Sequence, residues 1–148
     1  MIFTKARAVA ATVVLAGGVT VLAPAAPALA YISPPLVLLG EAQSPAYLVA
    51  KGAAADVTVE YTCSADSMYI DLQLTERVGK KIASGWGYTS VGCNATTQRT
   101  VIRVNANPYG AAFAKGTAVA DTYVWGCRFT GEQYFCGSDH VSQTISLK

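Results

Sequence analysis

The chain has 148 residues, with 11 Lys and Arg against 9 Asp and Glu, for a formal net charge of +2. It is 52% hydrophobic and only 14% charged, a length and balance that suit one folded domain and exclude a basic nucleic-acid binder. The small positive excess itself belongs to the first few residues.

Those residues read as an export signal. Lys5 and Arg7 form a basic start, Ala8–Ala23 is an uncharged apolar run, and Pro24-Ala-Ala-Pro27 leads into Ala28-Leu29-Ala30. The last three match the small-x-small pattern that a signal peptidase accepts. The run has about 16 residues where a membrane anchor needs roughly 20, and Gly17, Gly18 and the prolines also favour cleavage. Residues 1–30 are therefore expected to be a Sec signal peptide, cut between Ala30 and Tyr31. Removing 30 of 148 residues leaves 118 and takes Lys5 and Arg7 away, so nine basic residues face nine acidic ones and the net charge becomes zero. Nothing then points to nucleic acid or to an anionic membrane. No later stretch is long and apolar enough to span a bilayer, so residues 31–148 are expected to be one secreted, extracellular, monomeric domain.

The mature chain opens with a strand broken by Pro34, Pro35 and Pro45, its halves at Leu36–Leu39 and Tyr47–Ala50. Ala55–Cys63 is the organising strand: Val57, Val59, Tyr61 and Cys63 alternate with Thr58, Glu60 and Thr62, the period of a half-buried strand. After a turn at Ser64–Ser67, Met68–Val78 alternates again, with Met68, Ile70, Leu72 and Leu74 inward and Tyr69, Asp71, Gln73 and Thr75 outward. Val78-Gly79-Lys80-Lys81 reads as a hairpin turn. Ile82–Cys93 returns, and Gly85, Gly87 and Gly92 suggest a twisted or bulged edge. Thr100–Ala106 points Ile102 and Val104 inward, and Asn105–Gly110 is a loop.

Lys115–Phe129 is a long strand with two candidate inner faces. The small set Ala118, Ala120, Thr122 and Val124 is assigned inward, because the other face would bury Asp121 without a partner. Phe129–Phe135 forms a hairpin around Thr130-Gly131-Glu132, and Val141–Leu147 is the last strand. About seven strands with turn signals between them and no amphipathic helix describe an all-β, antiparallel two-sheet sandwich.

Four cysteines, Cys63, Cys93, Cys127 and Cys136, imply two disulfides in an exported chain. A zinc site fails for want of a Cys-x-x-Cys pair and because His140 is the sole histidine. Three pairings are possible. Neighbours along the chain favour Cys63–Cys93 and Cys127–Cys136, and Cys63–Cys127 is the alternative that resembles an inter-sheet bridge.

With strands and cysteines in place, the chain resembles a group of small secreted actinomycete proteins with an immunoglobulin-like fold. Asp56–Cys63, the Cys93-Asn94 turn followed by Thr100–Val104, and Lys115–Ala120 carry the likeness. It implies the sandwich and carries over no site. The chain departs from antibody-type domains in having no Trp about a dozen residues after Cys63, and in placing Tyr123 four residues before Cys127 rather than two.

No catalytic constellation stands out, and none is expected. Ser138-Asp139-His140 are consecutive, whereas triad members come from separate segments; His140 reads as a surface residue opening the last strand. Asp56 and Glu60 lie about 13 Å apart along one strand at ~3.3 Å per residue, a poor fit to a retaining glycosidase pair. No calcium loop or phosphate loop occurs, and no metal or cofactor is implied. Asn94-Ala95-Thr96 matches a glycosylation acceptor of a kind that arises often by chance.

The candidate binding residues are aromatic: Trp86, Tyr88, Tyr123, Trp125, Phe129 and Tyr134. Rings exposed together on a sheet grip sugar faces or a partner's apolar patch. Against this, Trp125 reads more readily as core, and Trp86 divides evenly between core and surface. The leading expectation is a non-catalytic module binding a cell-wall glycan, a secreted protein or a small apolar ligand. The alternatives are a protease inhibitor using the Cys127–Cys136 loop with Arg128, and a small-ligand carrier resembling the enediyne apoproteins.

Overall fold

The computed structural model describes residues 36–148. They belong to one compact unit, Pro34–Lys148; the signal peptide and its cleavage site lie outside the described residues. Eight strands follow in order: β1 (Leu38–Ala42), β2 (Tyr47–Val49), β3 (Ala54–Cys63), β4 (Ser67–Val78), β5 (Lys81–Gly92), β6 (Gln98–Ala106), β7 (Gly116–Phe129) and β8 (Tyr134–Leu147). A single 3-10 turn at Ala50–Gly52 interrupts them.

All-β, antiparallel architecture holds, but the strands join in one hydrogen-bonded sheet where two were expected. Its order is β1-β3-β6-β5-β4-β7-β8, with β2 also paired to β3. The sheet bends sharply at β5–β6, where only Gly85↔Ala106 and Trp86↔Asn105 are paired. It nearly closes on itself at the other end. There Ala46 bridges Leu147 in parallel, through Ala46 N–H donating to the Ser146 carbonyl and Lys148 N–H to that of Ala46. The Gln143 side-chain amide reaches across the remaining gap to the Ala42 carbonyl.

The period-two faces explain the interior. Met68, Ile70, Leu72 and Leu74 from β4 meet Val57 and Val59 from β3 and Ile102 and Val104 from β6, all buried. The small set on β7 faces inward as expected, with Ala118, Ala120, Thr122 and Val124 at most 3% exposed. Gly79-Lys80 is the two-residue turn between β4 and β5, and Gly79 has φ of 60°, the left-handed value such a turn requires.

The glycines of β5 do not mark an edge. That strand pairs with β4 along its whole length, from Ser67↔Gly92 to Val78↔Lys81. A Cβ on Gly85 or Gly87 would sit 2.2 Å from the carbonyl oxygen of Asn105 or Arg103. The two glycines therefore let β6 pass close over β5 and turn the sheet.

Both cystines join chain neighbours, Cys63–Cys93 and Cys127–Cys136, with Cα atoms 5.1 and 4.0 Å apart. The first ties the end of β3 to the chain just past β5, on the far side of the bend. The second links two residues in register on β7 and β8. By loop length alone they would stabilise the fold by about 3.7 and about 2.7 kcal/mol.

Candidate functional site

Antiparallel pairing sets β5, β4, β7 and β8 side by side, and their outward residues fall into cross-strand rows. One row runs Ser90, Tyr69, Trp125, Ser138; the next Tyr88, Asp71, Tyr123, His140; the next Trp86, Gln73, Asp121, Ser142. Each aromatic ring here is substantially exposed: Tyr69 44%, Trp86 61%, Tyr88 66%, Tyr123 47% and Trp125 48%. Tyr123 and Trp125 stand on the outward face left by the inward small set, so the competing core reading of Trp125 fails, and Trp86 resolves to the surface. Because the small residues of β7 fill the interior, its large ones must point out.

The rings stack upon one another. Tyr69 lies on Trp125 with centroids 5.2 Å apart, Trp86 on Tyr88 at 5.5 Å, and Tyr123 on His140 at 4.1 Å, all within 20° of parallel. Offset aromatic pairs of this kind contribute roughly 0.5–1.5 kcal/mol each beyond their area. Stacking also fixes the rings before any ligand arrives, which lowers the ordering cost of binding.

Phe129 and Tyr134 form a fourth pair, tilted, at 4.8 Å. They stand on the same face but beyond the Cys127–Cys136 row, at the hairpin end. The face thus gathers four of the six candidate aromatics in adjoining rows and sets two apart, all six exposed.

Between the rings stand hydrogen-bonding groups. Asp121 approaches His140 Nε2 at 3.6 Å, and Gln73, Ser90, Ser138 and Ser142 share the rows. Beside Trp86 a depression of about 460 Å³ is lined by Gln73, Asn105, Asn107 and Tyr109. Sequence reasoning placed Tyr69, Asp71 and Gln73 outward but did not bring them to this site. Their signal was present in the alternation of β4; what was missing was the pairing of β4 with β7.

Compared with protein-family models, with curated proteins and with solved structures, the chain matches none of them.

Other candidates resolve into structural roles. His140 sits well inside β8 rather than opening it, since β8 begins at Tyr134. Asp139 points to the opposite side of the strand from Ser138 and His140, so the three cannot form a relay. Asp56 accepts two hydrogen bonds from Arg103, each 2.8 Å, and Glu60 pairs with Arg99 at 2.7 Å, so both carboxylates serve the β3–β6 ladder. The hydrogen bonds from Arg103 hold the Asp56 carboxyl below the usual carboxylate range, against partial desolvation that pushes it up. Asn94 Oδ1 accepts from the Thr96 N–H and hydroxyl and from Gln98, closing the turn after Cys93. Arg128 is half-buried within the ladder opposite Phe135, while the hairpin loop is Thr130–Gln133. Among the described residues, no group of His, Cys, Asp and Glu could hold a metal ion.

Proposed function

We propose that the chain is a secreted, non-catalytic binding module whose β5-β4-β7-β8 face grips a polysaccharide of the cell surface. The observation that carries this reading is the interleaving on one exposed face of five prefixed rings with carboxylate, amide and hydroxyl groups. Sugars present the matching pattern: apolar C–H faces rimmed by hydroxyls, which rings and hydrogen-bonding side chains recognise together. Secretion is supported by the N-terminal signal pattern, by two cystines in a small domain, and by the lack of a long apolar helix among the described residues.

An immunoglobulin-like assignment accompanies this proposal. It is supported by the strand order: β1, β3 and β6 on one side of the bend, and β5, β4, β7 and β8 on the other, joined by two residue pairs. The consecutive strands β4, β5 and β6 lie side by side and β7 returns next to β4, the spatial order of a Greek key.

Binding to insoluble glycans tests the reading. The oxidised protein should be depleted from solution by at least one of cellulose, chitin or purified cell wall, and Trp125→Ala with Trp86→Ala should abolish that depletion while thermal melting stays cooperative. Depletion by none of them, or depletion unchanged in the double variant, contradicts it.

A further inference from the structure

Asp71 occupies the middle of the aromatic face. In register it stands between Tyr88 on β5 and Tyr123 on β7, whose strands flank it at one strand spacing each, hence about 9.6 Å from one another. His140 covers the β8 side of Tyr123 at 4.1 Å, leaving the other face of that ring turned toward the Asp71 column.

Asp71 is exposed, and among the described residues it has no hydrogen-bond or ion-pair partner. Other carboxylates on the sheet differ: Asp121 faces His140, and Asp56 and Glu60 on β3 are bonded to arginines. The three aromatic rows hold two carboxylates, Asp71 and Asp121, and one basic side chain, His140, which lies against Asp121; neither lysine nor arginine stands in them. Arg103, which borders Trp86 and Tyr88 across the bend, is occupied by Asp56. An open carboxylate beside the negative face of a tyrosine ring is a site for an organic cation: the charge meets its counter-ion and the ring quadrupole together.

We infer that Asp71, with Tyr88 and Tyr123, forms a subsite for a protonated amino group of the bound glycan, so that the face prefers strands carrying free amino sugars to neutral or N-acetylated ones. This rests on the polysaccharide reading and names the chemistry of its ligand. A glycan suits the site because the rows above and below Asp71 offer Ser90, Ser138, Gln73 and Ser142 to the hydroxyls around each amine.

The test compares affinity for a glucosamine hexamer and an N-acetylglucosamine hexamer at mildly acidic pH, by calorimetry on the oxidised protein. The glucosamine hexamer should bind about tenfold more tightly, the scale of one cation–ring contact with its counter-ion. Asp71→Asn should reduce it to the acetylated level, while Glu132→Gln, the same charge change at the hairpin tip, should leave the preference intact. Equal binding of both hexamers, abolished by Trp125→Ala, overturns the amine subsite and leaves the polysaccharide reading standing. Equal loss in Asp71→Asn and Glu132→Gln overturns it as general charge attraction. Competition by hexalysine as strong as by the glucosamine hexamer overturns the glycan as occupant in favour of a basic peptide. Binding of neither hexamer, with no effect of Trp125→Ala on any glycan, overturns the polysaccharide reading itself.

Discussion

The Cα of Gly87 lies directly beneath the carbonyl oxygen of Arg103, so closely that a Cβ there would be 2.2 Å from it. The oxygen belongs to the backbone of β6, so no side-chain rotation relieves the clash. This contact is where the sheet folds over, and it positions Trp86 and Tyr88 on the outside of the bend.

Gly87→Ala should therefore destabilise the protein by about 3 kcal/mol or more, at the upper end of overpacking. Gly92→Ala, where nothing lies within 4 Å of the added methyl, should change stability by no more than about 0.5 kcal/mol. Urea unfolding of the two variants checks this; equal stability would mean that β6 can lift away at no cost.

Thr122 is only 1% exposed, and its hydroxyl has no hydrogen-bond partner. Replacing that hydroxyl by a methyl removes a desolvated polar group and keeps the shape of the side chain. Thr122→Val should stabilise the fold by about 1 kcal/mol, read as a higher urea midpoint at unchanged slope. A lower midpoint would show that the hydroxyl is satisfied in solution.

Asp56 and Arg103 give the outer β3–β6 ladder a pH dependence. Because the folded-state carboxyl titrates below its unfolded value, the pair's contribution is present above the ordinary range near about 3.9 and lost as pH falls through the lower folded value. Wild type should exceed Asp56→Asn in stability at neutral pH by a small margin, since Arg103 stays largely in water and Asp56 is partly exposed. The margin should close in acid. A difference that is constant across that range, or that grows in acid, contradicts the assignment.

Local patterns were legible where burial on one face enforced them. Val57 to Cys63 and Met68 to Leu74 announce their inner faces by strict alternation, and Asp121 was enough to orient β7. The cystines followed from proximity along the chain. Pairing between distant strands was not legible, because nothing in Tyr69 or Asp71 records that β7 lies beside them. Trp125 shows two signals in conflict: the size of its ring reads as core, while the inward assignment of Ala118, Ala120, Thr122 and Val124 on its own strand turns it outward, and the alternation wins. The early start of β8 was hidden by Gly137, Ser138 and Asp139, residues poor in strand propensity that the full-length ladder with β7 nevertheless holds extended.

If the β5-β4-β7-β8 face is the binding surface, a glycan should contact it and no other part of the sheet. Amide chemical-shift mapping during titration with a bound oligosaccharide reads this residue by residue. Saturable shifts should concentrate at Tyr69, Asp71, Tyr88, Tyr123 and Trp125, with β3 and β6 unmoved. Saturable shifts centred on Arg99, Arg103 and their β3 partners, or no saturable shifts with any glycan, would contradict it.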